Sequence, residues 1–432
     1  MITSPLFAGR NYAVLGLARS GQACVEALAA SGAAVTAWDN NVAARDAVSH
    51  LATIADPMEI DLSRYDGLVV SPGVPLNRHP VTERARAAGC PIIGDIELFA
   101  LARATLPPHR VVGITGTNGK STTTALVHHI LRNAGLPTRI GGNIGLPILG
   151  QEPLAPGGVY VLELSSYQID LSHNLDCDVA ALLNITPDHL DRYDGFAGYA
   201  ASKARLFAMQ SPGHVAVIAT EDDQTRAVAG YSVAQVVTVE AADIRPEDQA
   251  RWPSLQGPHN AQNAAVAIAV ARALGISDKA IGQALESFAG LPHRMERVRE
   301  KDGVMFINDS KATNPASTAP ALAAFPPAPG KRLHWILGGL PKGDNLDECA
   351  PWFGNVACAY TIGEAGPLFS GLLSGKMPVE QCELLVTAVE RAATHAKPGD
   401  VVMLSPACAS FDQFKDFEAR GDAFRAAVEA LA

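Results

Sequence analysis

Residues 113–124 read GITGTNGKSTTT, and the architecture follows from how that stretch is parsed. The apolar run Arg110-Val-Val-Gly-Ile114 leading into it reads as a strand, and the glycines after it as a tight turn. Beyond Ser121, TTTALVHHILRNAG carries apolar residues at helical spacing, with Gly135 as a stop and Pro137 just past it. Strand, glycine turn, Lys-Ser and helix make a phosphate cradle. Backbone N–H groups of the turn and of the helix N-terminus face the anion, and Lys120 adds a full charge. Gly116, Thr117, Asn118, Gly119, Lys120, Ser121 and Thr122 are therefore the candidate contacts to a nucleoside triphosphate. Ser121 is also a candidate ligand of the Mg²⁺ that travels with it. One position departs from the usual phosphate-loop pattern: Ile114 stands where the first glycine falls, with glycines at 113 and 116 instead.

The chain has 432 residues, a length that suggests about three domains. With 48% hydrophobic and 18% charged residues it is globular, and its 38 Gly and 29 Pro punctuate many βα turns. A net charge of −10 argues against nonspecific binding to nucleic acid or anionic membranes. Anionic substrates must then be held by local cations. Seven cysteines, odd in number and without C-x-x-C spacing, predict reduced thiols rather than a disulfide framework or a zinc site. Neither a signal peptide nor a run of about 18 uninterrupted apolar residues is present. A soluble cytoplasmic protein is expected.

Along the chain, Asn11–Leu17 reads as a strand, followed by Gly16-Leu-Ala-Arg-Ser-Gly21, an Ala-rich helix and a second strand, Ala34–Trp38, ending in Asp39. This is a dinucleotide-type βαβ unit with an incomplete glycine fingerprint. A structural turn and a diphosphate site with Asp39 near a ribose or base both stay open. Gly67-Leu-Val-Val runs into Ser71-Pro-Gly, and Arg139-Ile-Gly-Gly-Asn143-Ile-Gly is dense enough in glycine to let a ligand approach backbone. Val159-Tyr-Val-Leu-Glu163 places a carboxylate at a strand end, where phosphate-loop enzymes keep a second metal-binding group. His189 follows the next strand, between Asp188 and Asp191, and surface and site roles both stay open for it. Lys203, taken alone on its helix, reads as an ordinary solvated charge. Asn260 and Asn263 lie about one turn apart on a helix opened by Pro258, and share a face. In the last third, strands Val304–Ile307, His334–Leu337 and Val401–Leu404 each end in a polar loop, at 308–314, 338–344 and 405–412. Open α/β sheets bind ligands at such strand ends.

Taken in order, TGTNGKST, GGNIG, LELSSYQ, NITPDHLDRY, SKARLF, HNAQN, LPHR, NDSKATNP and SPACASFDQF resemble the Mur ligase family over nearly the whole chain. The ending SPACASFDQFKDFEARG, with NDSKATN, looks most like the member that adds D-glutamate, and the Asp-Asn-Pro-Arg motif of the diaminopimelate- and lysine-adding member is missing. The resemblance implies an α/β protein with a central P-loop ATPase-type domain, at 98–290. Rossmann-like domains at 1–97, for the UDP-linked substrate, and 291–432, for the amino acid, would flank it. It implies ATP-dependent formation of an amide between UDP-N-acetylmuramoyl-L-alanine and D-glutamate through an acyl phosphate, in peptidoglycan precursor synthesis, by a monomer whose domains close over the substrates.

Matched residue by residue, Lys120 holds the β- and γ-phosphates, Ser121 and Glu163 one Mg²⁺, and His189 a second. Lys203 matches the family's carbamylated lysine, which CO₂ converts into an oxygen ligand. Asn260, Asn263, Arg294 and Asp309 match adenine-nucleotide contacts. Ser20, Asp39, Ser71, Asn143 and His189 match the uridine-substrate side. Lys311, Thr313, Lys342, Ser410 and Phe417 match the D-glutamate pocket. Three departures stand out: Asn40-Asn41 replaces a common Thr-Arg pair that grips the uridine end, Leu340-Pro341 precedes Lys342 where Asp is commoner, and the stretch from Phe207 to His259 is short. A folylpolyglutamate synthetase, the runner-up, also adds glutamate but differs in its amino-acid pocket and first domain, a dehydrogenase leaves the Lys120 loop unexplained, and a binding module has no use for Glu163, His189 and Lys203 together.

Overall fold

The computed structural model describes residues 1–327, 330 and 332–431. Among the described residues, seventeen strands form three sheets. The first holds β1 (Asn11–Leu15), β2 (Ala34–Trp38), β3 (Thr53–Ile54), β4 (Gly67–Val70) and β5 (Ile92–Ile93), all parallel, in the order β3-β2-β1-β4-β5. The second holds β6 (His109–Thr115), β7 (Thr138–Gly142), β8 (Gly158–Glu163), β9 (Val179–Leu182), β10 (Val215–Ala219) and β11 (Gln235–Val239). It is also parallel, ordered β11-β10-β9-β6-β8-β7. The third comprises β12 (Glu296–Lys301), β13 (Val304–Asn308), β14 (Leu333–Gly338), β15 (Val356–Ile362), β16 (Val379–Glu383) and β17 (Val401–Leu404). Its order is β12-β13-β17-β14-β15-β16, and only β12 runs antiparallel.

The sequence dictates this layout. Continuous apolar runs such as VLE-ended β8 and VAAL of β9 are buried along their whole length, as strands covered by helices on both faces must be. Parallel strands need crossovers, which the Ala-rich helices between them supply. Ile114, at the position of the missing phosphate-loop glycine, is a fully buried core residue of β6 paired with Glu163. The strand therefore runs one residue further, to Thr115, and the turn begins at Gly116.

The chain divides into two compact units, Met1–Asp243 with Gln262–Leu285, and Ile244–Ala261 with Glu286–Ala432. Within the first unit one apolar cluster runs from Ile2 and Phe7 under the first sheet to Leu162 and Phe207 under the second. The helix Asp95–Ala102 explains the continuity. Ile96, Leu98, Phe99 and Ala102 are all buried, so it presents no solvent face, and the Phe99 ring meets Tyr160 of β8 edge-on at 5.0 Å. The first two sheets are thus welded into one body. Among the described residues, no helix is long and apolar enough to cross a membrane.

Asp95 starts that helix fully buried, with no well-directed hydrogen bond to either carboxylate oxygen. Burial pushes its pKa up to about 6, against weaker help from nearby N–H groups and Gln168. In the unfolded chain it ionises near its ordinary value of about 3.8. Below that pH the carboxyl is neutral in both states and costs nothing extra. Above about 6 the folded state carries a charge it solvates poorly. Asp95→Asn is therefore expected to stabilise the first unit by about 3 kcal/mol at pH 8 and by little at pH 4. Denaturant midpoints at the two pH values test this, and equal differences at both would contradict it.

Candidate functional site

In the first unit, the phosphate-loop residues collect at the C-terminal end of β6. Gly119 caps the helix Lys120–Asn133 with φ +84°, and no side chain caps that helix. A Cβ there would stand 2.2 Å from Asn263 Oδ1, so glycine is required twice over. Lys120 Nζ folds back onto the carbonyls of Gly116 and Thr117, both at 2.8 Å. Thr117 Oγ1 donates to the Thr186 carbonyl at 3.1 Å and lies 3.1 Å from the Tyr199 hydroxyl. Ser121 is buried and Thr122 half-buried on the first helical turn.

Asn184, at the end of the β9 segment, escaped the sequence reading. Its carbonyl accepts from Thr117 N at 2.8 Å, and its Oδ1 accepts from Asn118 N at 2.8 Å. One residue thereby fixes two loop amides, one through its backbone carbonyl and one through its side chain. A polar residue closing an apolar strand was the available signal, the same one that marks Glu163.

Glu163 is buried at the end of β8. Its Oε1 accepts from Asn143 Nδ2 at 2.9 Å, while Oε2 is buried without a partner. An orphaned carboxylate oxygen at this position fits a cation. Gly142 makes the approach possible: its φ is +86°, and a Cβ would lie 2.1 Å from the Glu163 carbonyl. Among the described residues no three His, Cys, Asp or Glu side chains converge on one point.

Lys203 is not the solvated charge that the sequence alone suggests. It is 1% exposed, and its Nζ donates to the Gly116 carbonyl at 2.8 Å. It also sits 4.7 Å from the centre of the Tyr199 ring. Burial first, and the Lys120 charge second, hold its pKa well below the usual lysine range. His189 stands exposed in the loop after β9 with φ +52°, its ring 5.3 Å from that of Tyr167 and its Nε2 3.5 Å from Asp188.

Toward the first sheet, Ser71 Oγ donates to the Gly16 carbonyl at 2.8 Å, bracing the β1 turn beside Ser20. Asp39 does not project a free carboxylate. Its Oδ2 accepts from Leu17 N at 2.7 Å and its Oδ1 from Asn41 N at 2.8 Å, so it acts at least as a turn clamp. Arg45, one turn into the next helix, donates to the Asp39 carbonyl at 2.6 Å and lies 4.4 Å over the Trp38 ring. No carboxylate pairs with it among the described residues.

The second unit gathers the C-terminal candidates at the ends of β13, β14 and β17. Asp309 is buried, accepting from Ser405 Oγ at 2.8 Å and Met295 N at 3.2 Å. Burial raises its pKa to about 7, opposed by those bonds and by nearby Arg294. Lys311 Nζ lies 4.0 Å over the Phe417 ring, and Lys342 Nζ donates to Thr313 Oγ1 at 3.3 Å. Ser410 is buried in the loop after β17. Asn260, also buried, donates from Nδ2 to the Gln256 carbonyl at 3.0 Å, whereas Asn263 accepts from Thr123 Oγ1 at 3.2 Å in the first unit. The fully buried Arg420 was also missed. Its guanidinium donates to Ser310 Oγ and to the carbonyls of Ser310, Cys408 and Ala409 at 2.9–3.1 Å, tying two loops together.

Three family models match this chain. They are the Mur ligase MurD-like N-terminal domain over residues 10–94, the Mur ligase middle domain over 114–271, and the Mur ligase glutamate ligase domain over 293–408. Among curated relatives, a UDP-N-acetylmuramoylalanine–D-glutamate ligase of Novosphingobium aromaticivorans is 67% identical, covering 100% of this chain and 97% of its own. One of Sphingopyxis alaskensis is 64% identical over the full length of both. Solved structures share the fold at low identity. The MurF ligase of Thermotoga maritima in complex with ADP superposes with a TM-score of 0.62 at 16% identity, covering 99% and 97% of the two chains. The UDP-N-acetylmuramate-alanine ligase MurC of Thermotoga maritima gives 0.57 at 16%, covering 98% and 99%.

Proposed function

We propose that this chain, which belongs to the Mur ligase family, uses ATP to join D-glutamate to UDP-N-acetylmuramoyl-L-alanine in peptidoglycan precursor synthesis. The observation that carries this reading is the 67% identity, along the whole chain, to a ligase named for that reaction. The substrate carboxylate attacks the γ-phosphorus of ATP, giving an acyl phosphate and ADP. The D-glutamate amine then attacks the acyl carbon, and the tetrahedral intermediate expels phosphate and leaves the amide.

The first step brings a carboxylate against a triphosphate, so neutralising charge is the central task. Lys120 and the helix N-terminus receive the phosphates. Ser121 and Glu163 would hold Mg²⁺, with His189 and a carbamylated Lys203 serving a second; the metal supplies charge neutralisation and orientation there. The unpartnered Glu163 Oε2 supports the first site. The carbamate is supported by position: Lys120 and Lys203 both donate to the Gly116 carbonyl, and among the described residues no carboxylate lies within salt-bridge distance of Lys203. Addition of the Lys203 amine to CO₂, with loss of a proton, would replace a mutual repulsion by an attraction.

Asn260, Asn263, Arg294 and Asp309 take the adenine nucleotide. Lys311 and Lys342 pair with the D-glutamate carboxylates, with Thr313, Ser410 and Phe417 shaping the pocket. Ser20, Ser71, Asp39 and Asn143 serve the uridine substrate. The protein works in the cytoplasm, in keeping with seven free cysteines, and acts as a monomer.

Purified protein is expected to release phosphate from ATP only when UDP-N-acetylmuramoyl-L-alanine and an amino acid are both present. A panel of D-Glu, L-Glu, meso-diaminopimelate and D-Ala-D-Ala tests the assignment, and turnover with L-Glu but not D-Glu would overturn the stereochemistry. At the uridine end, Arg45 supplies the cation that Asn40 and Asn41 lack. Arg45→Ala is expected to raise KM for the UDP substrate roughly tenfold or more, the value of a lost charged hydrogen bond, with KM for ATP unchanged. An unchanged KM for the UDP substrate would remove Arg45 from that subsite.

A further inference from the structure

We infer that Arg192 is a positioning residue, a latch that joins the loop bearing Ser71 to the short helix following Glu163 and to the loop bearing His189, and so sets how far the substrate carboxylate stands from the phosphate site. The inference rests on the ligase reading above for its kinetic consequences, but its geometry stands alone.

All the contacts lie within the first unit. Arg192 Nη2 donates to the carbonyls of Pro72 and Val74, at 3.2 and 3.1 Å, in the loop that follows β4. The face of the same guanidinium covers the Tyr167 ring at 4.4 Å. Tyr167 belongs to the short helix Ser166–Asp170, which begins three residues after Glu163 and is held by a capping box from Ser165 and Gln168. The backbone of Arg192 is tied to the third partner, its N–H donating to the His189 carbonyl at 2.9 Å.

The bonding is reciprocal. Asn77 Nδ2 and Arg78 Nη2, from the first-sheet side, donate to the Asp191 carbonyl at 3.0 and 3.3 Å. Four hydrogen bonds thus cross between residues 72–78 and 191–192. On the far side, Tyr167 stacks with Tyr193 at 6.0 Å, and Tyr193 meets Tyr199 edge-on at 5.5 Å. The His189 ring rests against the same aromatic group at 5.3 Å. Ser71, which follows β4 directly, is itself bonded to the Gly16 turn. A displacement of the Arg192 side chain therefore acts on the substrate loop and on both acidic and imidazole-bearing loops at once.

Only a planar cation can do this. Arginine offers donors in a fixed fork with a flat face that stacks on an aromatic ring, whereas lysine is a compact point charge. An ordinary interface contact would weaken the fold when removed and leave catalysis in the surviving folded molecules untouched. A latch would loosen its three segments together and slow catalysis in the molecules that remain folded.

Two measurements on the full chain decide between them. Hydrogen–deuterium exchange of Arg192→Ala is expected to accelerate together in residues 71–78, 165–170 and 188–193. Acceleration confined to 188–193 would overturn the latch. In steady-state kinetics the variant is expected to lose about 10²-fold in kcat, the scale of a misplacement of about 1 Å between reacting groups. KM for ATP should hold while KM for the UDP substrate rises. Arg192→Lys should fail to restore the rate, whereas added guanidinium ion should restore part of it to Arg192→Ala. A turnover equal to that of the parent chain would also overturn the inference. A parent chain that turned over none of the panel above would count against the ligase reading alone, because the exchange pattern still decides whether the three segments move as one.

Discussion

Lys203→Ala is expected to lower the rate of ligation by on the order of 10³-fold, with short carboxylic acids such as acetate restoring part of it. The size follows from what the side chain replaces. Lys203 is buried, bonded through Nζ to the Gly116 carbonyl at 2.8 Å, and shares that acceptor with Lys120. As an ammonium it would be a buried cation close to the half-buried Lys120, bonded to one neutral acceptor beside the Tyr199 ring, with only the more distant charges of Asp188 and Asp170 to offset its burial. Its removal in that form would relieve repulsion, and the variant would keep its stability or gain some. As a carbamate it supplies oxygen to a cation, and truncation leaves a space that a small carboxylate can enter. Rate and rescue separate the two cases: loss of rate that acetate partly restores fits the carbamate. Full activity in the plain variant would refute it.

This lysine also illustrates what the sequence could and could not reveal. On its own helix it is one cation among alanines, and its burial arises only because the helix Gly195–Ala208 packs against the loop following β6, 87 residues earlier. Motif resemblance pointed to it where pattern alone could not. The strands fared better, for a physical reason. A parallel strand covered on both faces must be apolar throughout and must end in a turn, so β2 was legible as Ala34–Trp38 to the residue. The antiparallel edge strand β12 was not, because ERVREK carries mainly charges and is only half-buried. Nor did the sequence announce that the first two sheets share a core. That depends on the helix Asp95–Ala102 having no exposed residue, its two carboxylates included, at a point where a domain boundary had suggested itself. Residues acting through distant carbonyls were the least visible. Arg192 bonds residues 118 and 120 positions away, and Arg420 bonds Ser310, 110 positions away. Arginine at a helix or loop surface has no sequence signature for such a partner.

Arg420→Ala is expected to destabilise the second unit by several kcal/mol, about 5 if each charged hydrogen bond contributes its usual 1.5–3 and part is regained from water. The guanidinium is 1% exposed and has no carboxylate within salt-bridge distance among the described residues. Burial pushes its pKa down to about 10, so it stays charged at neutral pH. Its charge is instead spread over the carbonyls of Cys408, Ala409 and Ser310 and the Ser310 hydroxyl. Truncation strands those acceptors in the interior, which is the costly half of losing a hydrogen bond. Lysine could reach one or two of them but not both loops. Those loops carry Asp309, Lys311, Thr313 and Ser410, so a folded Arg420→Lys enzyme is expected to show a raised KM for D-glutamate above any change in kcat. Tryptophan fluorescence can follow the unfolding locally, because the buried Trp335 donates from Nε1 to the Ser405 carbonyl at 2.8 Å, at the start of one of the two loops. A urea midpoint for Arg420→Ala matching the parent chain would mean that the two loops hold each other without the arginine. The D-glutamate KM of Arg420→Lys should then be unchanged as well, since both effects have one cause.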